Sequence, residues 1–401
     1  MGQIKVLHVV TDSMSTVLMR GQLAYLKSIG FDPALASSPG EELERSARRE
    51  GCAAFGIPMK REISPFADLS SLFQMCRLLR RIRPVVCNSG TPKAGLLAGI
   101  AAWLTRVPCR VYTLRGLRLE TAKGFKKIIL RIAETVACLC ANRVICVSAS
   151  LRERAIALGL VPRAKTVLLG LGSSNGVDHA RFEATAEMAA RAAELRQRLK
   201  IQPGQPVIGF AGRLTRDKGV PELVAAFQAV RNKLPEAILL LVGDFEEGDP
   251  VPRATRDSIE LDPWIRHVTS TPQIEFYYHV MSVFVLPTYR EGLPNTVLEA
   301  QAAGLPVVTT MATGAIDAIE GGVTGLLAPV GDADKLAEAI LLLLSSPAWM
   351  QSMGQLGRER VLREFRSEVV WEKLASLYRI MLHEHGYALP SSSGLEDVRC
   401  T

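Results

Sequence analysis

Aromatic side chains make up only 6% of this 401-residue chain, histidines number six, and none of the eight cysteines is spaced as a C-x-x-C pair. Each scarcity closes off a class of protein. Few aromatics leave little with which to stack bases, so nucleic-acid recognition is disfavoured. Few histidines and unpaired cysteine spacing argue against a structural zinc site or a disulfide framework. Cys138 and Cys140, inside the apolar run Ala137-Cys138-Leu139-Cys140-Ala141, read as small buried hydrophobes. Charges, Gly or Pro interrupt every apolar stretch before it could span a membrane as a helix. The opening Met1-Gly2-Gln3-Ile4-Lys5-Val6-Leu7-His8-Val9-Val10 reads as a first core strand rather than a signal peptide, because Thr11 and Asp12 end its apolar run. Gly2 is not read as a myristoyl acceptor, since that would pull this strand from its sheet. The expected location is cytoplasmic.

What remains is a globular composition, 48% hydrophobic and 22% charged, in a chain long enough for two domains of ordinary size. The net charge of +8 is unevenly spread. Residues 1–180 hold 26 Lys+Arg against 12 Asp+Glu, a balance of +14, and the rest of the chain is at −6. Arg77, Arg80, Arg81 and Arg83 gather at one expected helix end, and Lys123, Lys126, Lys127 and Arg131 lie along another. Such a half suits an anionic membrane surface or a phosphate-bearing partner; a merely solvated basic face is the plainer alternative.

Strand-like apolar runs alternate with helical patterns along the whole chain, which calls for parallel sheets covered by helices, an α/β class. Strands are expected over 5–10, 84–87, 110–113, 143–147 and 166–169 in the first half, and over 207–210, 237–242, 283–286, 307–309 and 325–328 in the second. Both halves read as doubly wound. The Gly- and Ser-rich segment 170–178 reads as an interdomain connection. Helices are expected over 333–345, 347–365 and 367–385, the last amphipathic through Val370, Trp371, Leu374, Leu377, Tyr378 and Met381. The tail 387–401 lacks periodicity and reads as flexible.

Two segments carry chemistry. The first is Tyr289-Arg290-Glu291-Gly292-Leu293-Pro294-Asn295-Thr296-Val297-Leu298-Glu299-Ala300, which follows the apolar run Val283-Phe284-Val285-Leu286. Strand, turn and helix start come together there, and in open α/β sheets ligands bind at such strand ends beside helix N-termini. Glu291 falls in the turn and Glu299 roughly two turns into the helix, so two carboxylates can meet hydroxyls on either side of a phosphate. A nucleotide-sugar has that form. The second segment, Gly212-Arg213-Leu214-Thr215-Arg216-Asp217-Lys218-Gly219, follows the run Val207-Ile208-Gly209-Phe210. Arg213 supplies a guanidinium fork and Lys218 a compact ammonium, a clamp for a leaving diphosphate. Arg216 and Asp217 read as a solvated pair. Each segment alone reads as surface decoration; together they make a pattern.

With these residues the chain resembles the family 4 retaining glycosyltransferases of the GT-B fold. The likeness runs from Lys5 to about His385 and includes Asn175-Gly176-Val177-Asp178 with Arg181-Phe182, Leu241-Val242-Gly243-Asp244, Val285-Leu286-Pro287-Thr288 and Ala303-Gly304-Leu305-Pro306-Val307-Val308. Bacterial capsule and O-antigen enzymes of that family are similar also at Thr91-Pro92-Lys93-Ala94-Gly95 and Tyr112-Thr113-Leu114-Arg115-Gly116. The resemblance implies two Rossmann-like domains facing a central cleft: 1–178 for the acceptor, with helix 367–385 packing back on it, and 179–366 for the donor.

It also implies roles. Glu291 would contact the donor sugar and Glu299 would accept ribose hydroxyls, while Arg213 and Lys218 hold the diphosphate and stabilise its departure. Backbone of Gly212, Gly243, Gly292, Leu293, Pro294, Asn295, Thr296 and Val297 would line the donor site, with the base against Val242-Gly243-Asp244 and the segment near His267. The acceptor side would draw on Ser13, Ser15, Asn88, Lys93 and Arg115. The sequence departs from the family in two places. Thr11-Asp12-Ser13-Met14-Ser15-Thr16 replaces a frequent glycine pair, and Arg115 stands where many relatives have histidine.

The implied activity is transfer of a hexose or N-acetylhexosamine from a UDP-linked donor to a polyprenyl-diphosphate-linked sugar at the inner face of the membrane, with no cofactor and no metal. The D-x-D triplet Asp332-Ala333-Asp334 reads as a helix cap instead. A nucleotide-sugar 2-epimerase of the same architecture, or a non-enzymatic basic nucleic-acid or membrane-binding protein, would be the alternatives.

Overall fold

Alternating apolar runs and amphipathic helices give two parallel sheets, described by a computed structural model over residues 3–60 and 64–388. The chain divides into two units. One comprises residues up to Gly176 together with those from Ser367 onward; the other runs from Val177 to Arg366. Met1 and Gly2 and most of the tail read as flexible lie outside the described residues.

The first unit holds strands β1 (Ile4–Val9), β2 (Phe31–Ser37), β3 (Ala53–Gly56), β4 (Val86–Ser89), β5 (Cys109–Leu114), β6 (Arg143–Cys146) and β7 (Thr166–Leu168). All pair in parallel, in the order β3-β2-β1-β4-β5-β6-β7. Because successive strand side chains face opposite ways, β1 feeds two cores. Val6 and Val10 pack with Leu23, Phe31, Leu374, Tyr378 and Met381, whereas Leu7 and Val9 pack with Met75, Leu79, Ala94 and Ala98. Leu374, Tyr378 and Met381 come from helix Ser367–Glu384, whose apolar stripe completes the first core. Polar contacts fix it as well: Tyr378 Oη accepts from Asn88 Nδ2 at 2.7 Å, and Trp371 Nε1 donates to Asn175 Oδ1 at 2.7 Å.

The second unit holds β8 (Val207–Ala211), β9 (Ile238–Val242), β10 (Ile265–Val268), β11 (Val283–Leu286), β12 (Val307–Thr310) and β13 (Gly325–Ala328), in the order β10-β9-β8-β11-β12-β13, again all parallel. β8, β9, β11 and β12 are wholly buried, the pattern of strands covered on both faces. The order runs outward from β8 to β10, then resumes at β11 on the other side of β8. That reversal is the topological switch point, where open sheets bind ligands. Helices Ala333–Leu344 and Pro347–Glu364 close the unit. Asp332 caps the first of them, its Oδ1 accepting from Lys335 N at 2.9 Å.

Candidate functional site

The two loops that leave the switch point are those after β8 and β11, and they carry both chemical segments found in the sequence. Their close approach depends on Gly219. Its φ of +71° favours glycine, and a Cβ there would lie 1.9 Å from Pro287 O. Gly243 plays the same part between the β8 and β9 loops, where a Cβ would stand 1.8 Å from Gly212 O. Gly212 N donates to Val242 O at 3.0 Å and Leu214 N to Asp244 O at 2.8 Å, which fixes that second pair of loops.

Within this frame Lys218 Nζ forms an ion pair with Glu291 Oε1, 73 residues away in sequence, with both side chains largely buried. Arg213, on the same loop as Lys218, pairs with Glu246 and stays more than half exposed. Cation and carboxylate from the two segments therefore meet at one place.

Asp217 is not the solvated partner of Arg216 that the sequence suggests. Arg216 reaches Asp249 at 3.8 Å on the surface, while Asp217 turns inward to Arg290 Nη2 at 2.7 Å. Asp217 is the tie between the loops: its backbone O accepts from Tyr289 N at 2.9 Å and from Thr288 Oγ1 at 3.0 Å, and its Oδ1 accepts from Thr215 Oγ1 at 2.6 Å. Burial pushes the Asp217 carboxyl up, but the Thr215 hydroxyl and the Arg290 and Lys218 charges outweigh it and leave it below the usual aspartate value.

Past the β11 turn, helix Asn295–Ala302 starts behind Pro294, so Glu299 lies just over one turn inside it rather than two. Its first-turn amides head toward the turn that carries Gly292 and Leu293. The amide of Val297 is already used, donating to Pro294 O at 3.1 Å, and the Val297 side chain is fully buried. Asn295 and Thr296, at the helix start, are first-turn amides with no intrahelical acceptor. Glu299 is partly buried, and Tyr278 Oη donates to its Oε2 at 2.9 Å. Burial holds this carboxyl above the usual glutamate value, and the Tyr278 hydroxyl and the Arg181 charge offset only part of the rise.

On the other side of β8, the β9 and β10 ends join. Gly243 N donates to Val268 O at 2.8 Å, His267 Nε2 lies 2.8 Å from Gly243 O, and Ser270 N donates to Asp244 Oδ1 at 3.1 Å. The segments expected to face a nucleobase are neighbours.

In the first unit the candidate residues are spread over several strand ends. Ser13 and Ser15 lie in a short 3-10 helix, Ser13–Met19, rather than an open loop, and Asp12 accepts from Ser15 N at 3.0 Å and from Ser15 Oγ at 2.9 Å. Asn88 is buried, its Nδ2 donating to Tyr378 and its Oδ1 accepting from Thr113 Oγ1 at 2.9 Å. Lys93 pairs with Asp68 at 2.7 Å. Arg115 Nε donates to Gly90 O at 2.8 Å, its Nη1 bonds Ser174 Oγ, and burial lowers its pKa to about 10. Among the described residues no cluster of three or more His, Cys, Asp or Glu side chains could hold a metal ion.

Sequence reasoning misplaced Asp217 and passed over Arg290 and Tyr278. Arg290 adjoins Glu291, and Tyr278 ends an aromatic run Phe276-Tyr277-Tyr278 five residues before β11. Those were the available signals, and neither shows a partner.

The family model for "Glycosyl transferases group 1" matches residues 205–346, and that for a "Glycosyl transferase 4-like domain" matches residues 15–172. The chain is 40% identical over 384 residues to the capsular polysaccharide biosynthesis glycosyltransferase CapM of Staphylococcus aureus, covering 95% of this chain and 98% of that protein. It is 26% identical over 330 residues to the Escherichia coli UDP-Gal:alpha-D-GlcNAc-diphosphoundecaprenol alpha-1,3-galactosyltransferase, covering 81% and 83%. Among solved structures, Anabaena Alr3699/HepE in complex with UDP-glucose superposes with a TM-score of 0.79 at 19% identity, covering 93% of this chain and 99% of that one.

Proposed function

The chain belongs to the group 1 glycosyl transferases and is a glycosyltransferase of the GT-B fold, and from that premise we propose that it moves a hexose or N-acetylhexosamine from a UDP-linked donor onto a sugar carried by polyprenyl diphosphate, with retention of configuration, in capsule or O-antigen assembly. The observation that carries the reading is the convergence of Lys218 and Glu291 at the switch point, beside Arg213 and the start of the helix that bears Glu299. The relatives support its finer terms. One is named for capsular polysaccharide, another for a UDP-Gal donor and a diphosphoundecaprenol acceptor, and a structural neighbour holds UDP-glucose.

In this reading Arg213 and Lys218 grip the donor diphosphate, the amides of Asn295 and Thr296 add to the anion site, and Glu291 and Glu299 accept hydroxyls of sugar and ribose. Transfer proceeds by front-face attack. The acceptor hydroxyl bonds the anomeric carbon as its bond to the diphosphate oxygen breaks, and its proton passes to that oxygen. Charge grows on the leaving group, where fixed cations and dipoles lower the barrier most. No metal is assigned a role.

The acceptor places the enzyme at a membrane. Helix Gly124–Cys140 in the first unit exposes Phe125, Ile128 and Ile132 at three- and four-residue spacing among Lys126, Lys127 and Arg131, and its one acid, Glu134, is buried against Tyr112. An apolar stripe edged with cations suits a helix lying in an anionic lipid interface at the inner face of the cell membrane. No helix among the described residues is long and apolar enough to cross it.

The test is incubation of UDP-sugars with a synthetic polyprenyl-diphosphate-linked N-acetylglucosamine in the presence of EDTA. Sugar added to the lipid, with anomeric configuration retained, is the expected result. Epimerised donor formed without acceptor, or transfer abolished by the chelator, would overturn the reading.

A further inference from the structure

Phe182 has no part in the site as described, yet the turn that carries Arg181 and Phe182 lies against the helix that carries Glu299. Phe182 meets the Tyr278 ring edge-on at 5.7 Å, and Tyr278 is fully buried between it and Phe284 of β11, at 5.6 Å. The ring cannot swing away. Its hydroxyl is delivered to one place, donating to Glu299 Oε2 at 2.9 Å with Thr296 O a further 3.2 Å contact. Among the described residues Glu299 Oε1 receives no donor. Arg181 is itself held, by Glu275 Oε2 at 2.7 Å and Pro272 O at 3.2 Å, so its charge is fixed near the carboxylate.

We infer that Tyr278 is a positioning residue, braced by Phe182, that occupies one carboxylate oxygen of Glu299 and thereby aims the other at the ribose hydroxyls of the donor nucleotide. The inference rests on the reading of Glu299 as the ribose acceptor. Two physical effects support it. A carboxylate with one oxygen pinned loses less rotational freedom when a ligand binds, which is preorganisation. Burial holds the Glu299 carboxyl above the usual glutamate value, and the hydroxyl of Tyr278 and the charge of Arg181 offset part of that rise; both contacts act toward the ionised form, which only accepts hydrogen bonds and so suits hydroxyl donors.

Tyr278→Phe removes one oxygen and keeps the buried ring, so folding is preserved. The measurement is calorimetric binding of UDP and GDP, followed by the 2′,3′-dideoxy form of whichever one the wild-type chain binds. Wild type is expected to prefer the ribonucleotide. Tyr278→Phe should weaken ribonucleotide binding on the order of tenfold, as loss of a hydrogen bond to a charged group does, and leave the dideoxy form unchanged. Glu299→Ala should abolish the preference altogether. If Tyr278→Phe weakens both nucleotides equally, or neither, while Glu299→Ala abolishes the preference, the positioning role is wrong and the ribose reading stands. If Glu299→Ala retains the preference, the ribose reading fails and the inference falls with it.

Discussion

Arg213→Ala is expected to lower turnover about 10²- to 10³-fold, the loss seen when one preorganised donor to a developing charge is removed, while barely touching the fold. The magnitudes follow from where the side chain sits. Its exposure is 56%, and its partner Glu246 is 34% exposed, so the pair contributes about 0–1 kcal/mol to stability. For a unit of this size that is a melting shift of no more than about 4 °C. The effect on kcat should exceed that on KM, because the leaving group carries more negative charge in the transition state than in the bound donor. Arg213→Lys keeps the charge but loses the planar fork, and an intermediate loss is expected. The assay is release of UDP from the accepted UDP-sugar with acceptor present, beside thermal melts of each variant. Turnover within tenfold of wild type in a folded Arg213→Ala protein would refute the clamp; a collapse of the melting temperature would make Arg213 structural.

Asp217→Asn should destabilise the chain by about 1–3 kcal/mol at neutral pH, the usual range for a buried hydrogen bond to a charged group. Because the folded carboxyl lies below its unfolded value, that contribution is complete above about pH 4 and fades as pH falls through the folded pKa; melts from pH 7 to pH 3 should show the two proteins converging in acid, and a constant gap would refute the assignment. Gly219→Ala must part the β8 and β11 loops to relieve a 1.9 Å approach to Pro287 O and should cost at least ~2 kcal/mol; an unchanged melting temperature would contradict the loop packing. Reversing Lys126 and Lys127 to Glu should release the protein from phosphatidylglycerol vesicles, since each basic residue near an anionic surface contributes about 1 kcal/mol; equal sedimentation of wild type and variant would remove the membrane face.

β8, β9 and β11 were legible because they are continuous apolar runs. β2 was not: Asp32 and Pro33 break both alternation and run, and Pro33 is accommodated because β3 pairs with β2 only from Ala34 onward. β3 and β10 lie at sheet edges, where Ala53–Gly56 and Ile265–Val268 need bury little and so carry little pattern. At the site, Lys218 and Glu291 could be named as candidates because strand ends and turns precede them. Asp217, Arg290 and Tyr278 were out of reach. Charge at a loop tip gives the same sequence signal whether it faces water or a partner 73 residues away, and only the fold decides between them.

The C-terminal helix has a consequence for biosynthesis. The second unit is an uninterrupted stretch whose ends meet, Val177 N donating to Phe365 O at 2.8 Å, so it can complete itself as soon as it clears the ribosome. The first unit cannot, because Leu374, Tyr378 and Met381 belong to its core and are translated last. A nascent chain halted near Arg366 should therefore yield a protease-resistant fragment from its later portion while its earlier portion is still digested.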